Sequence, residues 1–343
     1  MNFAKRIYYL LIIILVVVLL IYAQSLLIPF VLALIIWFII RILKKGLMKL
    51  PWIGKRPQWL LTLLSTVVLI SLLGLVVTLI SNNIQELSAS MPAYQQNVKQ
   101  VSDQINSTFD IDLAATVAKY LEDFNYTGVL SNLFTALTSV FGDAFLVILY
   151  LVFILLEEPI FPRKFKAIYN TPERYKHASE LMDKIDHSTS SYMAIKSLMS
   201  LLTGVLSFIV LLAIGVDAAF FWAFLIFLLN YIPAIGSIIA TLFPTVFAML
   251  QFGDLTHPIL VLAIVGTIQV AVGNILEPRV MGNSLNISTL VVFITLAVWG
   301  AIWGVIGMLL SVPITVILIL VLSEIPTTRS FAILLSKKGD TGY

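Results

Sequence analysis

Long apolar runs separated by short polar stretches recur along the whole chain of 343 residues. A run of about twenty apolar residues crosses ~30 Å of hydrocarbon as a helix. The runs predict membrane helices at 7–23, 26–42, 58–81, 136–156, 197–215 and 258–276, and two longer apolar segments at 219–250 and 288–322. The predicted fold class is all-α: a polytopic membrane helical bundle with about eight membrane segments. The first run follows Lys5 and Arg6 like a signal peptide, but a second run begins at once, so we interpret it as a membrane helix.

The two longer segments are too long for one simple crossing. As a single helix, 219–250 would measure about 48 Å. A hairpin of two half-helices fits better, and its turn is predicted at Pro233–Gly236, because Pro lacks an amide hydrogen and Gly permits a sharp reversal. In 288–322 the corresponding breaks are predicted at Gly300, Gly304, Gly307 and Pro313. The alternative is that both segments cross fully, and the sequence leaves this choice open.

Each broken segment follows an ordinary helix, so the second half of the chain contains two copies of the same arrangement, predicted to be inverted repeats. Broken segments at corresponding places in two halves point to a transporter's substrate site. The predicted substrate-binding residues of the first are Asn230, Tyr231, Pro233, Gly236 and Ser237. The alternative is a Pro-kinked core helix whose Asn bonds to a neighbouring helix.

A second set of candidate residues lies around the end of helix 258–276. Its members are the substrate-binding candidates Gln269, Asn274, Glu277 and Arg279 and the hinge candidates Pro278 and Gly282. Intramembrane charges are costly and mark functional sites. We predict that Pro278 ends the helix and that Glu277 pairs with Arg279, while Lys196 snorkels to the interface. The alternative is that the pair sits among lipid headgroups and only fixes topology.

Composition and charge support the membrane assignment and orient it. Of all residues, 60% are hydrophobic and 11% charged, and there is no cysteine. Because Lys and Arg mark cytoplasmic loops, the basic segment 41–56 predicts cytoplasmic N- and C-termini. The predicted regions are membrane helices 1–3 at 1–81, an extracytoplasmic helical region at 82–140 with Asp112 as an N-cap, helix 4 at 141–156, a cytoplasmic amphipathic linker at 157–196, a transport core at 197–323, and a cytoplasmic tail at 324–343.

Enzyme chemistry finds no support in the sequence. There is no Walker A motif, no HExxH and no G-x-S-x-G, and the three histidines are scattered. We therefore predict no catalytic residue, no metal, no cofactor and no nucleic-acid partner. Regular rings of charge that would line a channel are also missing.

Three stretches, NYIPAIGS from Asn230, GNILEPRVMG from Gly273 and GMLLSVP from Gly307, resemble signature segments of the bacterial autoinducer-2 exporter family. The resemblance covers essentially the whole chain. It implies a secondary transporter of the bacterial inner membrane that exports a small polar quorum-sensing signal by alternating access. Members are also described as sodium(lithium)/proton antiporters, so an antiporter titrating Glu277 is the alternative, and a channel is less favoured. The expected partners are the small-molecule substrate, membrane lipid and further copies of the chain. Coupling to protons or sodium stays open.

Overall fold

The computed structural model describes residues 3–50, 56–109, 144–169, 171–281 and 286–339, and over these ranges the ordered elements are helices. They are α1 (Phe3–Tyr22), α2 (Gln24–Met48), α3 (Gln58–Phe109), α4 (Ala144–Glu157), α5 (Phe161–Ile168), α6 (Pro172–Ile214), α7 (Ala219–Leu229), α8 (Ile235–Phe252), α9 (Thr256–Val270), a π-helical turn (Ala271–Leu276), α10 (Glu277–Met281), α11 (Thr289–Glu324) and α12 (Arg329–Leu335). The predicted all-α membrane fold is confirmed. Within the described ranges, six helices are long and apolar enough to cross a membrane, or seven if the bent pair α4–α5 counts as one span. Asp112 lies outside the described residues.

Two predicted element boundaries are absent because nothing in the sequence stops the helix there. α3 continues past residue 81 to Phe109, and α6 runs without interruption through residue 196. Between residues 75 and 91, and again between 173 and 203, the chain contains neither Gly nor Pro. A change from apolar to polar side chains alters what surrounds a helix but does not end its backbone hydrogen bonding.

The chain divides into two compact units, the first formed by residues 1–67, 139–193 and 283–343 and the second by residues 68–138 and 194–282. In the first unit α2 packs along α4, and α11 contacts α1, α2 and α12. Three side-chain contacts join one end of this unit: Trp37 Nε1 to Glu158 Oε2 at 2.9 Å, Arg41 to Asp186 at 2.8 Å, and His177 to Glu324 at 3.0 Å. α2 and the C-terminal end of α11 therefore meet the N-terminal half of α6, and α2 also contacts the residue that follows α4. These are the segments predicted to lie on the cytoplasmic side.

In the second unit, the two outer ends of the α7–α8 segment lie together. The Asp217 amide donates to Gln251 Oε1 at 2.8 Å, and Gln251 Nε2 donates to the Gly215 carbonyl at 2.8 Å. Tyr94, near the far end of α3, donates its hydroxyl to Asp217 Oδ2 at 2.6 Å. Burial raises the pKa of the Tyr94 phenol, and the hydrogen bond to Asp217 raises it further, so the phenol stays a donor. The segment 219–250 thus returns to the end from which it starts.

The core of the second unit is aromatic and aliphatic. Its buried members include Leu211, Phe221, Trp222, Ile226, Phe247, Val261 and Val265. Gly204 lets α6 approach α7 closely, because a Cβ built there would lie 3.1 Å from Phe227 Cβ. Close packing of this kind holds helices together where lipid removes the hydrophobic driving force between them.

Candidate transport site

The break in the first apolar segment is a five-residue turn between α7 and α8. α7 ends at Leu229, α8 begins at Ile235, and the turn spans 230–234. The segment folds back at this turn, which lies slightly before the predicted Pro233–Gly236. Asn230 is buried, and the Tyr231 hydroxyl donates to Ser197 Oγ on α6 at 2.7 Å. The turn is thereby held beside α6, at the level of Ser197.

The backbone of this turn is strained at Ala234. The Ile235 amide donates to the Pro233 carbonyl at 2.7 Å, and Ala234 between them has φ 60° and ψ −57°. This is a γ-turn of the form that non-glycine residues rarely adopt. Ser237 Oγ donates to the Ala234 carbonyl at 2.9 Å and ties the turn to the first turn of α8. Strained turns of this kind occur at binding sites and switch regions.

Gly236 is required by packing. A Cβ at this position would lie 1.8 Å from the Leu229 carbonyl oxygen. Only glycine lets α8 pass so close to the end of α7. Gly236 therefore belongs to the hairpin architecture, and its part in substrate binding stays a prediction.

In the first unit, α11 contains the corresponding break at Trp303 and Gly304, where φ and ψ leave the helical region. Gly304 has φ 61° and ψ −141°, which strongly favours glycine. A Cβ at Gly307 would lie 1.9 Å from the Trp299 carbonyl oxygen, and one at Gly300 would contact Met308. The two halves of α11 therefore fold back on each other. Pro313 lies within the second half, and the helix continues through it.

The helix carrying the second group of candidates bulges before it reaches the charged residues. Residues Ala271–Leu276 form a π-helical turn that includes Asn274, and α10 then continues to Met281. The expectation that Pro278 ends the helix is wrong. Proline removes one amide donor and crowds the preceding turn, and the wider π-helical turn accommodates that change. π-Helical turns often occur at functional sites. Gly282 lies outside the described residues.

Glu277 pairs with Lys196, and this corrects the predicted pair with Arg279. Lys196 Nζ lies 2.6 Å from Glu277 Oε1, and the two side chains are only 6% and 15% exposed. Arg279 is exposed. Residues two apart on a helix point to different sides, so Glu277 and Arg279 do not face each other. Lys196 therefore does not snorkel; it neutralises the carboxylate inside the unit.

Lys196 begins a buried polar row on α6, which continues through Ser200, Thr203 and Ser207. The spacing of four, three and four residues places these side chains on one face of the helix. Thr203 donates to the Met199 carbonyl, but Ser200 Oγ and Ser207 Oγ have no hydrogen-bond partner among the described residues. Neither serine is among the predicted substrate-binding residues, although their spacing from Lys196 in an otherwise apolar helix is the signal that indicates them.

Gln269 on α9 adds a third unpartnered polar atom to the same unit. It is buried, and its Nε2 lacks a hydrogen-bond partner within the described part of the chain. α6 and α9–α10 run antiparallel, because Lys196 meets Glu277 at one end and Gly215 meets Gln251, near the start of α9, at the other. Gln269 and the two serines therefore lie within roughly three helical turns of the ion pair.

The predicted substrate-binding residues all belong to the second unit, where the structure gives them different surroundings. Asn230 and Gln269 are buried, Glu277 is nearly so, and Asn274 and Arg279 are exposed. Gly300, Gly304, Gly307 and Pro313 belong to the first unit. Within the described ranges no group of three His, Cys, Asp or Glu side chains could hold a metal ion.

The apolar spans and the two segments folded back at glycine-containing breaks define the class: a polytopic helical membrane protein. Residues 10–327 match the family model described as AI-2E family transporter, and the chain belongs to that family. It is 33% identical over 320 residues to the AI-2 transport protein TqsA of Escherichia coli K12, covering 92% of this chain and 90% of that protein. It is 34% identical over 325 residues to a putative transport protein of Haemophilus influenzae, covering 93% and 92% of the two chains. It is 32% identical over 286 residues to the putative transport protein YhhT of Escherichia coli K12, covering 82% and 77%.

Proposed function

We propose that this protein exports a small, uncharged polar signal of the autoinducer-2 type from a bacterial cytoplasm, by alternating access in the inner membrane. One observation carries the proposal: a buried ion pair begins a row of buried polar side chains, and in the same unit four buried polar atoms have no partner among the described residues, namely Ser200 Oγ, Ser207 Oγ, Gln269 Nε2 and Trp222 Nε1. An unpartnered buried hydroxyl or amide costs free energy unless a ligand or water occupies it. A hydroxyl-rich substrate supplies the missing partners.

The pairing of Glu277 with Lys196 favours an uncharged substrate over a cation. The lysine at 2.6 Å already balances the carboxylate, so the site offers no net negative charge to sodium or lithium. A cation would have to displace a buried ammonium group from its partner, which is costly in a low-dielectric interior. The antiporter alternative therefore gains no support from this geometry.

The proposed substrate class is taken from the name of one relative. One relative is named an AI-2 transport protein, and two others are named only as putative transport proteins. All are named for transport, which agrees with the expectation that the chain is not an enzyme. We also propose that the protein assembles into homo-oligomers and that transport can be coupled to protons or sodium.

The test is transport of labelled autoinducer-2 by purified protein in liposomes, with and without a proton or sodium gradient. Removing both hydroxyls in the variant Ser200→Ala/Ser207→Ala should lower the initial rate about tenfold, because two hydrogen bonds to substrate are lost. The matched control is Thr267→Ala on α9, whose exposed hydroxyl bonds its own helix at the Ala263 carbonyl, and it should transport normally. Unchanged transport in the double variant would remove these serines from the site.

A further inference from the structure

The α5 helix, Phe161–Ile168, turns sharply away from the membrane span that precedes it. It follows α4 after three residues and is bent from it by 67°. With eight residues it is about 12 Å long. Three of its eight side chains are basic, which excludes it from the hydrocarbon core. A short helix so placed lies across the end of the span.

The side chains of α5 divide into an apolar face and a basic face. Phe161, Phe165 and Ile168 project within a sector of about 60°. The Phe161 and Phe165 rings stack at 5.9 Å, and Ile168 is 71% exposed. Arg163 and Lys166 project from the opposite side and are exposed. This division is typical of helices that lie in the plane of a membrane surface.

The α5 helix itself carries only positive charge. Lys164 reaches back to Glu157 of α4 at 2.5 Å, and Glu158 accepts a hydrogen bond from Trp37, so both neighbouring carboxylates are engaged. Segment 159–169 contains no acid, which leaves Arg163 and Lys166 without a countercharge on α5. The Trp37 contact also brings α2 to this end of the first unit, where exposed Lys45 and Lys49 add to the basic surface.

We propose that α5 is a binding site for anionic phospholipid: its apolar face enters the interface and its basic face binds acidic headgroups. Two observations select this partner over others. Phe153 and Leu156 of α4 and Phe161 and Ile168 of α5 are exposed apolar side chains on both sides of the bend, while Phe165 between the last two packs against Tyr175 of α6. The basic side chains provide the charge complement of an acidic leaflet, where each adds an attraction that decays within a Debye length. This proposal is independent of what the protein transports.

The experiment uses the full-length protein, which has no native cysteine. A bimane fluorophore is attached at Ile168→Cys, and the protein is placed in liposomes containing brominated phosphatidylglycerol or brominated phosphatidylcholine. Phosphatidylglycerol should quench the probe more strongly, with an apparent association several-fold higher. A second probe at Phe145→Cys, exposed at the start of α4, should be quenched equally by both lipids.

Charge variants made in the probe-bearing protein test the role of the basic face. Arg163→Gln/Lys166→Gln should reduce the preference for phosphatidylglycerol by at least about fivefold, since one basic side chain near the surface accounts for roughly that factor. Arg163→Lys/Lys166→Arg keeps the charge and should keep the preference. Two results would overturn the anionic-lipid site. One is equal quenching by both lipids in the protein with its native charges, and the other is a preference for phosphatidylglycerol that Arg163→Gln/Lys166→Gln leaves unchanged. No quenching by either lipid would show that protein, including another copy, covers this face, and would also overturn it.

Discussion

Lys196 and Glu277 form an ion pair that is shielded from solvent on both sides. Taking the two charges out of water costs several kcal/mol each, and their attraction offsets this cost only while both are present. The pair therefore contributes little net stability but is expensive to break. Arg279, by contrast, is exposed.

At the residue scale, this difference predicts a sharp non-additivity. Glu277→Gln alone, or Lys196→Met alone, should each destabilise the protein by about 3–5 kcal/mol, because each strands a buried charge. The double variant Lys196→Met/Glu277→Gln should recover most of that loss. Thermal unfolding in detergent measures the stability of the native protein, the two single variants and the double variant. Arg279→Ala is the control and should change stability by less than about 0.5 kcal/mol; additive effects of the two single changes would show that the pair is not coupled.

At the element scale, both broken helices depend on a glycine at which a side chain would meet a carbonyl oxygen. Gly236 faces Leu229 and Gly307 faces Trp299, in each case with less than 2 Å available to a Cβ. In both hairpins a glycine close to the turn allows the two helical segments to approach each other. The closeness of the helices is thus encoded by glycine position and not by the turn residues alone.

The close packing at Gly236 predicts opposite outcomes for two glycine substitutions in neighbouring helices. Gly236→Ala should destabilise the protein by more than about 3 kcal/mol and abolish transport, since backbone must move to admit the methyl group. Gly266→Ala on α9 is the matched control, because its Cβ would have 3.9 Å to its nearest neighbour, Thr241 Cγ2. There the better helix propensity of alanine should leave stability unchanged or raise it by up to about 1 kcal/mol. Equal melting temperatures of the two variants would contradict the hairpin packing.

The sequence predicts where the helices and their breaks lie better than it predicts which side chains contact each other. Hydrophobic run length predicted the membrane helices, and run length with Gly and Pro predicted that 219–250 and 288–322 are broken, because these are local properties of the chain. It misassigned the partner of Glu277, since Lys196 lies 81 residues away and only the antiparallel packing of α6 on α10 brings them together. The π-helical turn before Pro278 could not be predicted either. A proline after an apolar helix is the same local pattern whether the helix ends there or bulges and continues.

At the scale of the whole molecule, the folded-back segment 219–250 predicts which ends of the helices share a side of the membrane. The amide of Asp217 bonds Gln251, so the chain leaves and re-enters at one end of the second unit, and α9 then runs to Glu277 at the other. Combined with the basic loop 41–56, which predicts a cytoplasmic N-terminus, this predicts that the start of α9 lies outside and α10 inside.

Single cysteines at exposed positions test this arrangement in the otherwise cysteine-free chain. Thr256→Cys, beside Asp254 but leaving that capping side chain intact, should react with a membrane-impermeant maleimide added to whole cells. Arg279→Cys and Lys338→Cys should react only after the membrane is opened. The physical reason is that both positions lie near opposite ends of one continuous helical stretch, Thr256–Met281, whose 26 residues are long and apolar enough to span a membrane. The reverse labelling of 256 and 279 would mean that 219–250 crosses the membrane completely, and the hairpin placement would have to be abandoned.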